Sequence, residues 1–209
     1  MEMVIWNMKN DRGGGDPRNV IVCSSPNRPE FEGKSLAQLT EESGQAPTCE
    51  NASQRVLDLL ALGDVVCVFK CLSEEDVETV MKNSEGIVAS DGFVIELDQQ
   101  KPHPRSYGTF PRVLSKYVRE QEIISVESAV RKMTSNPAKR LGLKDRGTLA
   151  VGSCADIVVF DPIEIQDAAT FERPHQYAKG IKFLVINGVL AIDDGEFTGE
   201  MAGEFICRY

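Results

Sequence analysis

The sequence predicts an α/β chain in which strands and helices alternate until about residue 143 and then give way to a small all-β unit. Three observations carry this. Continuous apolar runs at residues 20–23, 65–69 and 87–89 have the length of buried strands. Helical signals lie between them, with caps and apolar residues spaced by three and four. From Asp145 onward no helical period recurs, and Asn187-Gly188 separates two apolar segments, the signature of a two-residue hairpin turn. Strand–helix alternation with continuous apolar strands predicts a parallel sheet with crossover helices. An open sheet and part of a barrel both satisfy that pattern.

Taken in order, residues 1–19 read as a polar lead-in, with Gly13-Gly14-Gly15 and Asp16-Pro17 as a turn. The triple glycine lacks the Gly-Lys-Ser/Thr of a phosphate loop. The loop at 24–34 is rich in polar donors, and Ser35 is placed to cap a short helix carrying Leu36 and Leu39. Residues 52–62 form a second helix with Val56, Leu57, Leu59 and Leu60 on a broad apolar face. Ser73 precedes Glu74, Glu75 and Asp76, acids suited to the positive end of a third helix, and Leu72 with Val77 has the spacing of a hydrophobic staple. A helix at 110–119 with Thr109 as its cap, one marked by Val126, Ala129, Val130 and Met133, and a short one ending at Gly142 complete the α/β part. Strands are expected at 147–150, 157–160, 181–186, 189–192 and 204–207.

Composition narrows the function. The 209 residues suffice for a sizeable core. A net charge of −9 argues against nucleic acid or an anionic membrane as partner. No apolar run approaches the roughly 20 residues of a membrane span, and the N-terminus lacks a signal-peptide layout, which points to the cytoplasm. The cysteines (Cys23, Cys49, Cys67, Cys71, Cys154 and Cys207) include no C-x-x-C pair and read as reduced, mostly buried thiols.

The chemistry concentrates between residues 87 and 114. An apolar run ends in Ser90-Asp91-Gly92, placing a carboxylate where α/β folds place their chemistry. Beyond it lie His103, Arg105 and the helix entry, in H-P-R-S-Y-G-T-F-P-R-V-L. Together, S-D-G and H-P-R-x-x-G-T-F-P-R-V-L resemble the D-aminoacylase (N-acyl-D-amino-acid deacylase) family of the amidohydrolase superfamily. R-G-T-L-A-V-G-S-C-A-D-I-V-V-F-D at 146–161 and V-I-N-G-V-L-A-I-D-D-G-E-F-T-G at 185–199 are similar to the accessory β-sandwich of that superfamily.

The resemblance covers the C-terminal half of such a protein and implies a more specific architecture: the last strands of a (β/α) metal-dependent hydrolase barrel in residues 1–143, an inserted helical lid at about 26–63, and the closing part of the β-sandwich in 144–209. It implies a zinc-dependent hydrolase that splits N-acyl-D-amino acids into a carboxylate and a D-amino acid. In that frame Asp91 matches the aspartate that holds the metal-bound water and passes its proton to the leaving amine. Arg105 matches the arginine that binds the substrate α-carboxylate, a task suited to a planar two-pronged donor. Residues 93–102 replace a shorter family turn, and that turn's histidine has no counterpart here.

A hydrolytic zinc site takes three or more protein ligands, and this chain has two histidines, His103 and His175. The family's upstream His-x-His and cysteine ligands precede anything aligned here. No complete metal site is therefore expected in this chain, with Asp91 as a candidate ligand, and the chain by itself is expected to be inactive and to bind zinc weakly. The alternatives are a non-catalytic remnant of the same fold and a hydantoinase-type cyclic-amide hydrolase. An incomplete barrel is also expected to self-associate through its exposed edges. Asp156 and Asp161, which look catalytic at first sight, are read as strand-end residues bonding nearby backbone.

Overall fold

The structure, a computed structural model, describes residues 1–94, 96 and 101–206. It divides into two units: Met1–Ser73 with Phe93–Pro104 and Thr170–His175, and Glu74–Gly92 with Arg105–Ala169 and Gln176–Tyr209. The change from helix to strand near residue 143 falls inside the second.

In the first unit, β1 (Val20–Ser24) pairs with β2 (Val66–Phe69) in register Val20↔Phe69, Ile21↔Val68, Val22↔Cys67 and Ser24↔Val66. The pairing is antiparallel, which corrects the parallel sheet expected from the sequence. A continuous apolar run reports burial on both faces but not direction, and the intervening helices return the chain either way. The other edge of β1 is occupied by the incoming chain, with Val22 N–H donating to Lys34 O at 2.9 Å and Gly33 N–H to Val22 O at 2.7 Å.

Helix α1 (Glu2–Asn10) is a departure from the polar lead-in expected there; Val4 and Met8 lie four residues apart on one face. Met8 is buried in the same core as Val20, Val22, Leu36, Leu39, Cys49, Ala52 and Leu59, a burial worth about 1.5–3 kcal/mol. Helix α2 (Leu36–Glu42) begins at the expected cap as a reciprocal box: Ser35 Oγ accepts from Gln38 N–H at 3.2 Å and Gln38 Oε1 accepts from Ser35 N–H at 2.8 Å. Helix α3 (Cys49–Ala61) starts one turn early, capped by Thr48, and leaves Leu60 exposed while burying Leu59.

The second unit starts with α4 (Glu74–Lys82), and Leu72 is too exposed for the expected staple. Helix α5 (Arg105–Arg112) starts four residues before the expected cap, so Thr109 lies within it and donates its hydroxyl to Arg105 O at 2.9 Å. Pro111 therefore sits inside the helix, where it supplies no N–H, and the chain continues as a π-helical segment, Val113–Glu120. Such wide turns accommodate an interrupted ladder. Helix α6 (Val126–Met133) is capped by Ser125, and α7 (Ser135–Leu141) ends at Gly142 in the left-handed conformation.

A four-stranded antiparallel meander follows: β3 (Ile157–Phe160), β4 (Ile181–Ile186), β5 (Val189–Asp193) and β6 (Glu196–Phe197). The β4–β5 turn is the expected one, with Asn187 and Gly188 both at positive φ. The strand expected at 147–150 does not form, and Leu149 is exposed. Of the one expected at 204–207, residues 204–206 are not strand and Cys207 lies outside the described residues. Alternation and turn residues alone do not supply a ladder partner. The core joins Val113, Leu114, Tyr117 and Ala129 to Ile165, with Val88 and Ile181 packed against them.

Candidate active site

Residues 87–89 do not form a strand: Ile87 is exposed, and Val88 N–H donates instead to Lys132 O at 3.1 Å. Short apolar runs need a neighbouring strand for a ladder, and here the neighbour is a helix. Lys132, only 2% exposed, also donates from its ammonium to Asn83 O and, at 3.4 Å, to Gly86 O. These carbonyls follow the C-terminus of α4, the negative end of its dipole. The segment leading to Asp91 is thus tied to α6 by both backbone and side chain.

At its end, Ser90 Oγ accepts from Gly92 N–H at 3.2 Å and Asp91 takes a φ of 47°. Gly92 passes so close to α5 that a Cβ on it would lie 2.9 Å from Ser106 Cα and 3.4 Å from Arg105 O. This approach brings together the two residues singled out from the sequence. Arg105 Nη2 meets Asp91 Oδ2 at 2.7 Å, and Arg105 Nε–H donates to Asp91 O at 2.8 Å. The Asp91 side chain is 82% exposed and that of Arg105 38%. In this setting the pair stabilises the fold by about 1 kcal/mol at most. It leaves an accessible carboxylate beside an accessible guanidinium.

The histidines do not join them within one unit. His103 stands edge-on to Phe171 with ring centroids 5.1 Å apart, and both it and His175 belong to the first unit, whereas Asp91 and Arg105 belong to the second. Among the described residues, no group of three His, Cys, Asp or Glu side chains is placed to hold a metal ion. A zinc ion with its usual three or more protein ligands does not fit those residues by themselves. The insertion at 93–102 lies partly outside the described residues.

Asp156 and Asp161 bond backbone, as read from their strand-end positions. Asp156 Oδ1 accepts from Asn187 N–H at 2.8 Å, and Asp161 Oδ1 from Ile163 N–H at 2.8 Å and Glu164 N–H at 3.2 Å. Those two amide bonds hold the Asp161 carboxyl below its usual range. Cys23, Cys49, Cys67, Cys71 and Cys154 are free thiols, with Cys71 exposed. Burial pushes Cys23 and Cys67 up to about 11, which makes them poor nucleophiles.

A polar network on the π-helical segment escaped sequence reasoning. Glu74 accepts from Lys116 Nζ at 2.5 Å and from the Tyr117 hydroxyl at 2.7 Å. Asp167 accepts from Arg112 Nη1 at 3.1 Å. Only Gly108 and Arg112, within the G-T-F-P-R motif, could have signalled it.

Comparisons with known proteins place the chain in a family. The amidohydrolase family pattern matches residues 81–192, more than half of the chain and inclusive of the Asp91–Arg105 pair. The chain is 36% identical to a D-aminoacylase from Alcaligenes xylosoxydans xylosoxydans over 201 residues, 96% of this chain and 39% of that protein. A solved D-aminoacylase studied for its binuclear metal centre superposes with a TM-score of 0.76 at 34% identity, over 88% of this chain and 36% of that one. The N-acyl-D-glutamate deacylase of Bordetella bronchiseptica, solved with zinc and a phosphonate inhibitor mimicking the tetrahedral intermediate, gives 0.72 at 32% identity, over 87% and 36% respectively. The chain belongs to the amidohydrolase family, and its place there is among the D-aminoacylases and related N-acyl-D-amino-acid deacylases. It spans about two-fifths of the length of that Alcaligenes D-aminoacylase.

Proposed function

We propose that this chain carries the C-terminal portion of a cytoplasmic deacylase that hydrolyses N-acyl-D-amino acids to a carboxylate and a D-amino acid. The observation that carries this reading is the grip of the Arg105 guanidinium on Asp91 through two of its N–H groups, Nη2 on a carboxylate oxygen and Nε on the backbone carbonyl. A substrate α-carboxylate would offer two oxygens to the same fork in place of that carboxylate oxygen and carbonyl. As it takes the place of Asp91 on Arg105, the freed Asp91 carboxylate accepts a proton from water while the water oxygen bonds to the acyl carbon, and returns that proton to the amine nitrogen as the C–N bond breaks. Zinc, present in the solved N-acyl-D-glutamate deacylase, would need ligands beyond these described residues, to which Asp91 adds a single carboxylate.

In the same reading residues 1–143 are the last barrel strands with a helical lid at about 26–63, and residues 144–209 are part of a β-sandwich. Self-association belongs to the same reading, since Val66 and Phe93 stand well exposed. A second reading, a non-catalytic module, is favoured by the engagement of Asp91 with Arg105, which occupies both of the groups that the catalytic reading needs.

Steady-state kinetics of the full deacylase on N-acetyl-D-methionine and on its carboxamide decide between them. Asp91→Asn should lower kcat by a factor of ~10² or more. Arg105→Lys should raise KM by the loss of about 1.5–3 kcal/mol of substrate binding, and only for the substrate with a carboxylate. Near-normal kcat for Asp91→Asn, or equal damage to both substrates by Arg105→Lys, contradicts the assigned role.

A further inference from the structure

Gly108, Arg112 and Ser115 follow one another at intervals of four and three residues, the spacing of a single helix face, and all three meet Asp167. A Cβ on Gly108 would lie 2.8 Å from Asp167 Cβ. Arg112 Nη1 stands 3.1 Å from Asp167 Oδ2, and Ser115 Oγ donates to Asp167 Oδ1 at 3.4 Å. The Asp167 side chain is only 15% exposed. It engages α5 and its π-helical continuation by shape at Gly108, by an ion pair at Arg112 and by a hydroxyl hydrogen bond at Ser115.

The backbone that carries Asp167 is itself fixed. Ile165 N–H donates to Asp161 O at 2.8 Å, Arg119 donates to Ile165 O at 2.6 Å, and Gln166 and Lys179 exchange two backbone hydrogen bonds. A Cβ on Gly180 would fall 2.4 Å from Ile165 N, so chain lies against chain with no side chain between. Asp167 therefore projects from a rigid ledge. Arg105 opens α5 one turn before Gly108, and its guanidinium has to turn back to reach Asp91. The rotation and height of the helix decide whether it can.

We propose that Asp167 is a positioning residue for Arg105: it keys α5 so that the guanidinium faces Asp91 and the position where a carboxylate would bind. The functional consequence rests on the reading of Arg105 as the carboxylate-binding group, but the positioning itself does not.

Side-chain nitrogen NMR of the 209-residue chain tests both separately. In the wild type, the Arg105 Nε–H, donated to Asp91 O, should exchange slowly with solvent. In Asp167→Ala its protection should fall by up to roughly fivefold, all that an exposed pair of this kind supplies, while the amides of the β4–β5 hairpin stay as protected as before. Gly108→Ala leaves Asp167 intact and adds a good helix former, yet by displacing α5 it should cause the same loss at Arg105. If either variant folds and keeps wild-type protection at Arg105 Nε–H, the proposal is overturned. Titration with N-acetyl-D-methionine is the second arm. An unmoved Arg105 signal in the wild type would refute the carboxylate-binding reading while leaving the positioning result to stand or fall on exchange alone.

Discussion

Replacing Gly92 by alanine should damage this protein more than removing the Arg105 side chain whose position it permits. The φ of Gly92 is outside the left-handed region, so alanine can adopt the backbone and the whole cost is contact. That contact is with backbone: the new Cβ would sit 2.9 Å from Ser106 Cα and 3.4 Å from Arg105 O, atoms that cannot swing aside. Overpacking of this kind costs about 1–3 kcal/mol. For a chain of this size that lowers the unfolding temperature by roughly 2–12 °C. Arg105→Ala removes the exposed ion pair with Asp91 and the hydrogen bond to its carbonyl, together worth about 1 kcal/mol or less. Thermal unfolding followed by circular dichroism ranks the two. If Gly92→Ala unfolds with the wild type, or above Arg105→Ala, the close approach is not what sets the site.

Further outcomes are expected elsewhere in the chain. The Ser25 hydroxyl is 1% exposed and has no hydrogen-bond partner among the described residues, so Ser25→Ala should raise stability to urea by about 1 kcal/mol, and a loss of that size would show that the hydroxyl is satisfied. Burial first, and then the hydrogen bond to Glu74, hold Tyr117 up to about 12 against an ordinary 10.0. The unfolded chain ionises first, so this contribution to stability is complete below pH 10 and drains away as pH rises through about 12. Glu74→Gln should move the tyrosinate absorbance transition of Tyr117 downward without returning it to 10, since burial remains, and an unmoved transition would disprove the coupling. For zinc, dialysis of the 209-residue chain against a chelator should leave the unfolding temperature unchanged and little metal bound, whereas near-stoichiometric zinc surviving that treatment would overturn the expectation.

Much of the local structure was written in short-range chemistry. Ser35 with Gln38, Ser125, Gly142 and the Asn187-Gly188 turn each act within four residues of themselves, and each does what its sequence says. The S-D-G and H-P-R-x-x-G-T-F-P-R segments pointed to the family, and to the two residues that pair as Asp91 and Arg105, for the same reason, because a long motif is itself local. Strand direction was not legible. The apolar runs of β1 and β2 specify burial, and their antiparallel pairing depends on how some forty intervening residues return the chain. Residues 87–89 carry the same kind of apolar run, but α6 rather than a strand lies beside them and Val88 bonds to Lys132. Asp167 has no neighbouring signal at all, since its partners Gly108, Arg112 and Ser115 are more than fifty residues away in sequence. The sequence by itself determined which residues are chemically equipped to act. The tertiary structure decided which of them meet, because a contact between distant segments depends on the path of all the chain between them.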